Sequence, residues 1–200
     1  MNVFLRIWSF ISSPLLVPLA ISLWFLSYAG NFSDPIIRLK IYVIALLTVG
    51  VPLLMYAVLY TFKLADSIHL STTKERLIPL MVYGLFIIAI IRLAFDDGMF
   101  MPLYFFFIGI LMSTIIALIL ALFQFKISLH MMSIAGALSF VILLGFYLNV
   151  DLIYYVIGLS IATGLTATSR LSMKAHTPAE LIFGTVMGIA VQVVVAAYYI

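Results

Sequence analysis

The stretch "MPLYFFFIGILMSTIIALILALFQ", from Met101 to Gln124, contains no charged side chain over 24 residues. A helix of about 20 apolar residues is long enough to cross the hydrocarbon core of a bilayer. Of the 200 residues, 66% are hydrophobic and only 8% are charged, whereas a soluble domain is about 45–50% apolar. A chain of this length cannot bury so much apolar surface in one water-soluble core. The sequence therefore predicts an integral membrane protein.

Further apolar runs of this kind predict an all-α, polytopic transmembrane bundle of about seven spans, forming a single domain over residues 1–200. Turn-forming stretches such as "GNFSDP" (30–35) and "FDDGMFMP" (95–102) separate the runs. Gly184 and Gly188 predict close helix packing in the last span. The predicted spans cover residues 8–29, 37–62, 77–95, 101–124, 131–149, 151–168 and 179–200.

Composition excludes several classes of function. The chain has no cysteine, so it can form neither a disulfide nor a thiolate metal site. Its net charge is only +3, and its Lys and Arg residues are scattered. This pattern argues against a nucleic-acid partner and fits anionic lipid or phosphate better. The "DDG" at 96–98 has the look of a metal motif, but we interpret it as a hairpin turn.

Counting the crossings brings three polar connections to the membrane face that holds the N-terminus, here called side A: residues 63–76, 124–130 and 169–178. Ionisable groups beside apolar spans are costly, so they are functional candidates. A set rich in cations and histidine suits a tetrahedral oxyanion better than a metal ion. Side A collects Lys63, Asp66, His69, Lys74, Glu75, Arg76, Lys126, His130, Arg170, Lys174, His176 and Glu180.

The stretch "SRLSMKAHTPAE" (169–180) carries a resemblance to a known family. Ser169, Arg170, His176 and Glu180 form the pattern S-R-x5-H-x3-E. This pattern resembles the third signature of the type-2 phosphatidic acid phosphatase superfamily, S-R-x5-H-x3-D. Here a glutamate stands where that signature has an aspartate.

Two further signatures are matched in part. Ser128 and His130, in "ISLH" (127–130), resemble the second signature, P-S-G-H. Arg76 is our candidate for the arginine of the first signature, K-x6-R-P, although Leu77 follows it. "KERLIP" (74–79) and "KISLHM" (126–131) look like a divergent branch of short multi-span members found in Bacteroidetes-type bacteria, in which Lys126 would supply the missing cation.

The resemblance implies a six-helix phosphatase-like core and a metal-independent hydrolase that needs no cofactor. It implies that His176 is the nucleophile that becomes phosphorylated, that Glu180 orients it and that His130 is the general acid. The substrate would be a membrane lipid phosphate or diphosphate. The residues expected to bind the phosphate are Arg170, Lys126, Arg76, Ser128 and Ser169.

Other interpretations of the same residues stay open. Thr177, Pro178 and Glu180 also form a capping box at a helix start, and Arg170 and Lys174 fit interfacial anchors. A degenerate member acting as a lipid-binding or assembly subunit is the main alternative. A transporter would need broken helices with polar residues at mid-membrane, where this chain is almost wholly apolar. The count of basic residues favours a cytoplasmic side A, but the resemblance implies a bacterial inner-membrane protein with its site near the periplasmic face.

Overall fold

A computed structural model describes residues 3–29, 32, 34–61, 73–95 and 100–200 of the chain. Within these ranges the regular structure is helical, and no strand is present. The all-α prediction is therefore confirmed. The helices are α1 (Val3–Ile11), α2 (Leu16–Ala29), α3 (Pro35–Ala45), α4 (Val51–Thr61), α5 (Thr73–Ala94), α6 (Met101–Leu122), α7 (Leu129–Leu148), α8 (Ile153–Ser172) and α9 (Pro178–Ala196), with a π-helical turn (Leu46–Gly50) joining α3 to α4.

Five helices of the described chain are long and apolar enough to cross a membrane. A sixth is added if α1 and α2 together form one bent span. The prediction of several transmembrane helices is thus confirmed. The five are Pro35–Val58, Glu75–Ala94, Met101–Leu122, Leu129–Leu148 and Pro178–Ala196.

The predicted first span is not one helix. It starts at Val3 rather than residue 8, and it breaks between Ile11 and Leu16 with a bend of 64°. Pro14 lies in the break, where its ring removes an amide donor and disfavours a continuous helix. The Ser13 hydroxyl accepts a hydrogen bond from the Leu16 amide at 3.3 Å, which helps α2 to start afresh.

The second predicted span begins and ends within two residues of its predicted limits, but it contains the π-helical turn. Asp34 caps its start by accepting from the Ile36 amide at 2.8 Å, with Pro35 in the first turn. Pro52 cannot donate to the carbonyl of Thr48, and its ring would crowd that carbonyl in a regular helix. The wider π-helical turn before Pro52 relieves this crowding. Within the same helix, the Thr48 hydroxyl donates to the Ile44 carbonyl at 2.8 Å.

The last two predicted spans differ in how they meet side A. Helix α8 continues to Ser172, so Ser169 and Arg170 lie in its last turns and not in a connection. Helix α9 packs against α7 at very short range, as the glycine pair predicts. A Cβ at Gly188 would lie 2.3 Å from the Met132 carbonyl oxygen, and a Cβ at Gly184 would lie 2.6 Å from that of Ser128.

Contacts across the bundle bring together two of the three segments predicted to meet at side A, residues 124–130 and 169–180. The Lys126 ammonium donates to the Ala175 carbonyl at 3.2 Å, and the Ser128 amide donates to the Glu180 carbonyl at 3.2 Å. At the opposite end of the bundle, here called side B, the Lys40 ammonium donates to the Ala94 carbonyl. Lys63, Asp66 and His69 of the first side A connection and the "DDG" turn lie outside the described residues.

Candidate functional site

His176 and Glu180 form a short hydrogen-bonded pair at the start of α9. The imidazole Nδ1 donates to Glu180 Oε2 at 2.6 Å. The same oxygen accepts from the Thr177 amide at 3.3 Å, and the Thr177 hydroxyl accepts from the Glu180 amide at 3.3 Å. The capping box and the histidine contact therefore coexist on one carboxylate. Because the proton of the neutral imidazole stays on Nδ1, in the hydrogen bond to the carboxylate, the lone pair lies on Nε2.

The surroundings of His176 keep its imidazole neutral. The residue is 8% exposed. Burial lowers the pKa of His176 to about 4, against the opposing effect of the hydrogen bond to Glu180, and the nearby charges of Arg76 and Arg170 lower that pKa further. At neutral pH the ring is therefore unprotonated at Nε2, which is the state that a nucleophile needs.

Arg170 is a buried cation whose bonding capacity is only partly used. It is 5% exposed, and its Nη1 donates to the Ser9 hydroxyl at 2.8 Å. Its Nε is buried without a hydrogen-bond partner among the described residues. No carboxylate among the residues that the structure describes forms an ion pair with Arg170. A buried guanidinium in this state favours an anionic ligand, because an unpaired buried charge costs several kilocalories per mole.

Arg76 supplies a second buried guanidinium from the first turns of α5. It is 7% exposed, and its Nη1 donates to the Ile127 carbonyl at 3.1 Å. It lines the same cavity as Arg170 and His176. The predicted first-signature arginine is thus brought to the predicted nucleophile.

The cavity that these residues line has a volume of about 660 Å³. Its charged end includes Arg76, Arg170, His130 and His176. The rest is mostly apolar and extends between the helices to Gln192, whose amide donates to the Phe106 carbonyl at 3.3 Å. A cavity with cationic side chains at one end and apolar side chains elsewhere suits a ligand that has a charged headgroup and an apolar chain.

His130 lies in the first turn of α7 and lines the cavity with His176. Its Nε2 donates to the Ser9 carbonyl at 3.1 Å. His130, Arg170 and His176, to which the resemblance gives roles in one site, therefore line one cavity. Ser128, which was expected to bind the phosphate, does not border it.

The two serines predicted to bind phosphate have structural contacts instead. Ser128 is fully buried and caps α7 by accepting from the Met131 amide at 3.4 Å. Ser169 is also fully buried, and its hydroxyl donates to the Leu5 carbonyl at 2.7 Å. Neither hydroxyl lines the cavity, so the structure gives no support for direct phosphate contact by these two side chains.

Lys126 lies near His176 but outside the main cavity. It borders a shallow groove together with Lys174, Thr177 and Glu180, and His176 lines both this groove and the main cavity. Burial lowers the pKa of Lys126, and the charge of Arg76 adds to this effect. The predicted extra cation is therefore near the histidine, but it does not line the main cavity.

Sequence reasoning missed the contribution of α1. Ser9 contacts both Arg170 and His130, yet it lies within an apolar run and carries no motif. Among the described residues, no cluster of three or more His, Asp or Glu side chains could hold a metal ion. The predicted independence from metal stays a prediction.

Comparisons with protein-family models, with characterised proteins and with solved structures found no match to this chain. The resemblance to the phosphatase superfamily therefore rests on the residues described above.

Proposed function

We propose that this protein is a membrane phosphatase that hydrolyses a lipid phosphate or diphosphate through a phosphohistidine intermediate. One observation carries the proposal: the buried His176, hydrogen-bonded to the half-buried Glu180, lies beside two buried guanidiniums at the charged end of an otherwise apolar cavity. Two arginines neutralise a phosphoryl group and stabilise the charge that develops on its oxygens. The neutral histidine supplies the lone pair that attacks phosphorus.

The reaction needs two steps at His176. In the first, Nε2 of His176 forms a bond to phosphorus and the bond from phosphorus to the lipid oxygen breaks. For this step His130 carries a proton on both ring nitrogens: it gives the Nδ1 proton to the leaving oxygen while its Nε2–H stays on the Ser9 carbonyl. Glu180 accepts the Nδ1–H hydrogen bond and stabilises the positive charge on the phosphorylated ring. In the second step, a water oxygen forms a bond to phosphorus, its proton goes to His130 Nδ1, and the bond from phosphorus to His176 Nε2 breaks. Inorganic phosphate leaves, and both His176 and the protonated His130 are restored.

The shape of the cavity supports an amphiphilic substrate. Phe10 and Leu53 line the cavity and are also exposed on the outer surface of the bundle, so a lipid chain has a lateral path between α1 and α4. The phosphate would bind beside Arg170 and Arg76 while an acyl or prenyl chain lies among the apolar lining. We also propose that the bent α1–α2 pair and α8 each cross the membrane, giving seven spans around a six-helix phosphatase-like core. The site would then lie near the periplasmic face of a bacterial inner membrane.

A second candidate function is lipid-phosphate binding without turnover. It is favoured by Leu129, which stands where the second signature has glycine. Glycine allows close approach of a ligand to the backbone, and leucine restricts it. The cationic pocket would be retained in such a protein, while the chemical step would be lost.

Phosphate release from purified protein in detergent separates the two candidates. Phosphatidate, phosphatidylglycerophosphate, undecaprenyl diphosphate and a lipid A phosphate form the substrate panel, each tested with EDTA and with added Mg²⁺. A phosphatase releases phosphate from at least one lipid in EDTA, and His176→Ala does not. Activity that requires Mg²⁺ would contradict the histidine mechanism. Lipid binding with no release from any substrate would favour the binding protein.

A further inference from the structure

Helix α1 packs against the last turns of α8 through polar contacts. The Ser169 hydroxyl donates to the Leu5 carbonyl at 2.7 Å, and the Trp8 indole donates to the Thr166 hydroxyl at 3.1 Å. The other face of α1 is apolar and exposed, with Val3, Phe4, Ile7 and Phe10 on the outside. This amphipathic arrangement turns Ser9 inward, where it is buried and lines the cavity.

The break after α1 also explains why the Ser9 backbone can reach the site. The last carbonyls of a helix have no amide partner within the helix. The Ser13 amide bonds to the Phe10 carbonyl at 3.1 Å, so it does not bond to the carbonyl of Ser9. The Ser9 carbonyl instead accepts from His130 Nε2 at 3.1 Å. The proline break thus supplies an acceptor that fixes the proton of His130 on Nε2.

The Ser9 hydroxyl lines the cavity and, toward the described residues, uses only its capacity to accept a hydrogen bond. Its oxygen accepts from Arg170 Nη1 at 2.8 Å. A hydroxyl also has one proton to donate, and no hydrogen bond from the Ser9 hydroxyl is formed with the residues that the structure describes. Arg170 Nε is likewise without a partner in that part of the chain. Two donors, one on α1 and one on α8, therefore meet at the same cavity wall.

We infer that Ser9 is a further phosphate-binding residue, whose hydroxyl accepts from Arg170 and donates to a phosphate oxygen in the cavity. This inference rests on the proposed function. It assigns the N-terminal helix to the substrate site, although that helix carries none of the three signature stretches. A hydrogen bond to a charged group contributes more than a neutral one, so its loss weakens phosphate binding by about tenfold to a hundredfold.

The test is a titration of the full-length protein in detergent with inorganic phosphate, followed by the shift in thermal unfolding midpoint. A ligand that binds only the folded state raises this midpoint by an amount set by the ratio of free ligand to Kd, growing with the logarithm of the ligand concentration once the site is occupied. Ser9→Ala is compared with Ser12→Ala. Ser12 is buried in the turn directly after the same helix, and its hydroxyl donates to the Trp8 carbonyl at 2.9 Å, outside the cavity lining. We expect Ser12→Ala to respond like the wild type and Ser9→Ala to need at least about tenfold more phosphate for the same shift.

The outcomes separate this inference from the proposed function. If Ser9→Ala and the wild type respond to phosphate alike, Ser9 does not bind the anion, while lipid turnover by the wild type would still support the phosphatase. If Ser9→Ala lowers only the midpoint measured without phosphate, Ser9 merely anchors α1, and the inference is likewise overturned. A wild type that neither responds to phosphate nor releases it from any lipid would overturn both.

Discussion

Buried cations occur at both ends of this bundle, and the two ends treat them differently. At side B, Lys40 is 5% exposed, donates to the Ala94 carbonyl at the end of α5, and lies 5.9 Å from the centre of the Phe95 ring. At side A, Arg170 is equally buried, but it lines a cavity and its Nε has no partner among the described residues. Burial of a charge therefore does not by itself indicate a site. Arg170 is a candidate because it is buried beside a cavity and keeps a donor without a partner among the described residues.

The largest expected effect is that of removing the nucleophile. We expect His176→Ala to lower kcat by at least about a thousandfold, because a covalent intermediate can no longer form. The residue precedes α9 and is not part of the apolar core, so the thermal unfolding midpoint should change little. Phosphate release and thermal unfolding are measured on the same preparation. Turnover close to the wild-type rate would remove His176 from the reaction.

Replacing each of the two buried cations by the uncharged methionine tests the comparison directly. We expect Arg170→Met to lower kcat/KM by about a hundredfold to a thousandfold, since one charged contact to the phosphoryl group is lost. Lys40→Met should leave kcat/KM within about twofold of the wild type. It should instead lower the free energy of unfolding by about 1–3 kcal/mol, because the buried Ala94 carbonyl loses its donor. A large catalytic loss in Lys40→Met would show that the two ends are not independent.

Glu180→Gln separates capping from catalysis at a single atom. A glutamine oxygen can still accept from Thr177 and from His176, so the cap and the stability should survive. A neutral amide stabilises a cationic imidazole less than a carboxylate does, so we expect kcat to fall by about a hundredfold. Equal rates in the variant and the wild type would leave Glu180 with the capping role alone.

The acid limb of the pH–rate profile reports the state of His176. Because burial lowers the pKa of His176 to about 4, the nucleophile is neutral above that pH and becomes protonated as the pH falls through it. We expect kcat/KM to fall on the acid side near pH 4, rather than near the ordinary histidine value of about 6.5. Two lipid phosphates with different headgroup pKa values provide the control, since a limb due to the substrate moves with the substrate.

The smallest effect is expected at Ser128. Its hydroxyl caps α7 and does not line the cavity, so Ser128→Ala should cost about 0.5–2 kcal/mol of stability. We expect kcat/KM to stay within a few-fold of the wild type. A loss of a hundredfold at unchanged stability would instead support the phosphate-binding role that the sequence predicted.

The sequence predicts the two motif-bearing connections well because their chemistry is local. The S-R-x5-H-x3-E spacing brings Arg170, His176 and Glu180 around one helix start, and alternate crossings bring His130 to the same side. The sequence does not show that Ser128 and Ser169 point away from the cavity, since side-chain direction depends on where α7 and α8 end. It also gives no sign of Ser9. That residue reaches the site only because Pro14 breaks the first span and folds α1 against α8.

The glycine pair of α9 has a consequence for inherited variation. Gly184 and Gly188 let α9 lie directly on the backbone of α7, and these two helices carry Glu180 and His130 respectively. An added methyl group at Gly188 would meet the Met132 carbonyl oxygen and force the helices apart. The distance between the two histidines would then change, although neither had been replaced. A substitution that lowers the proposed activity is therefore expected within the apolar part of α9, away from every proposed reacting group.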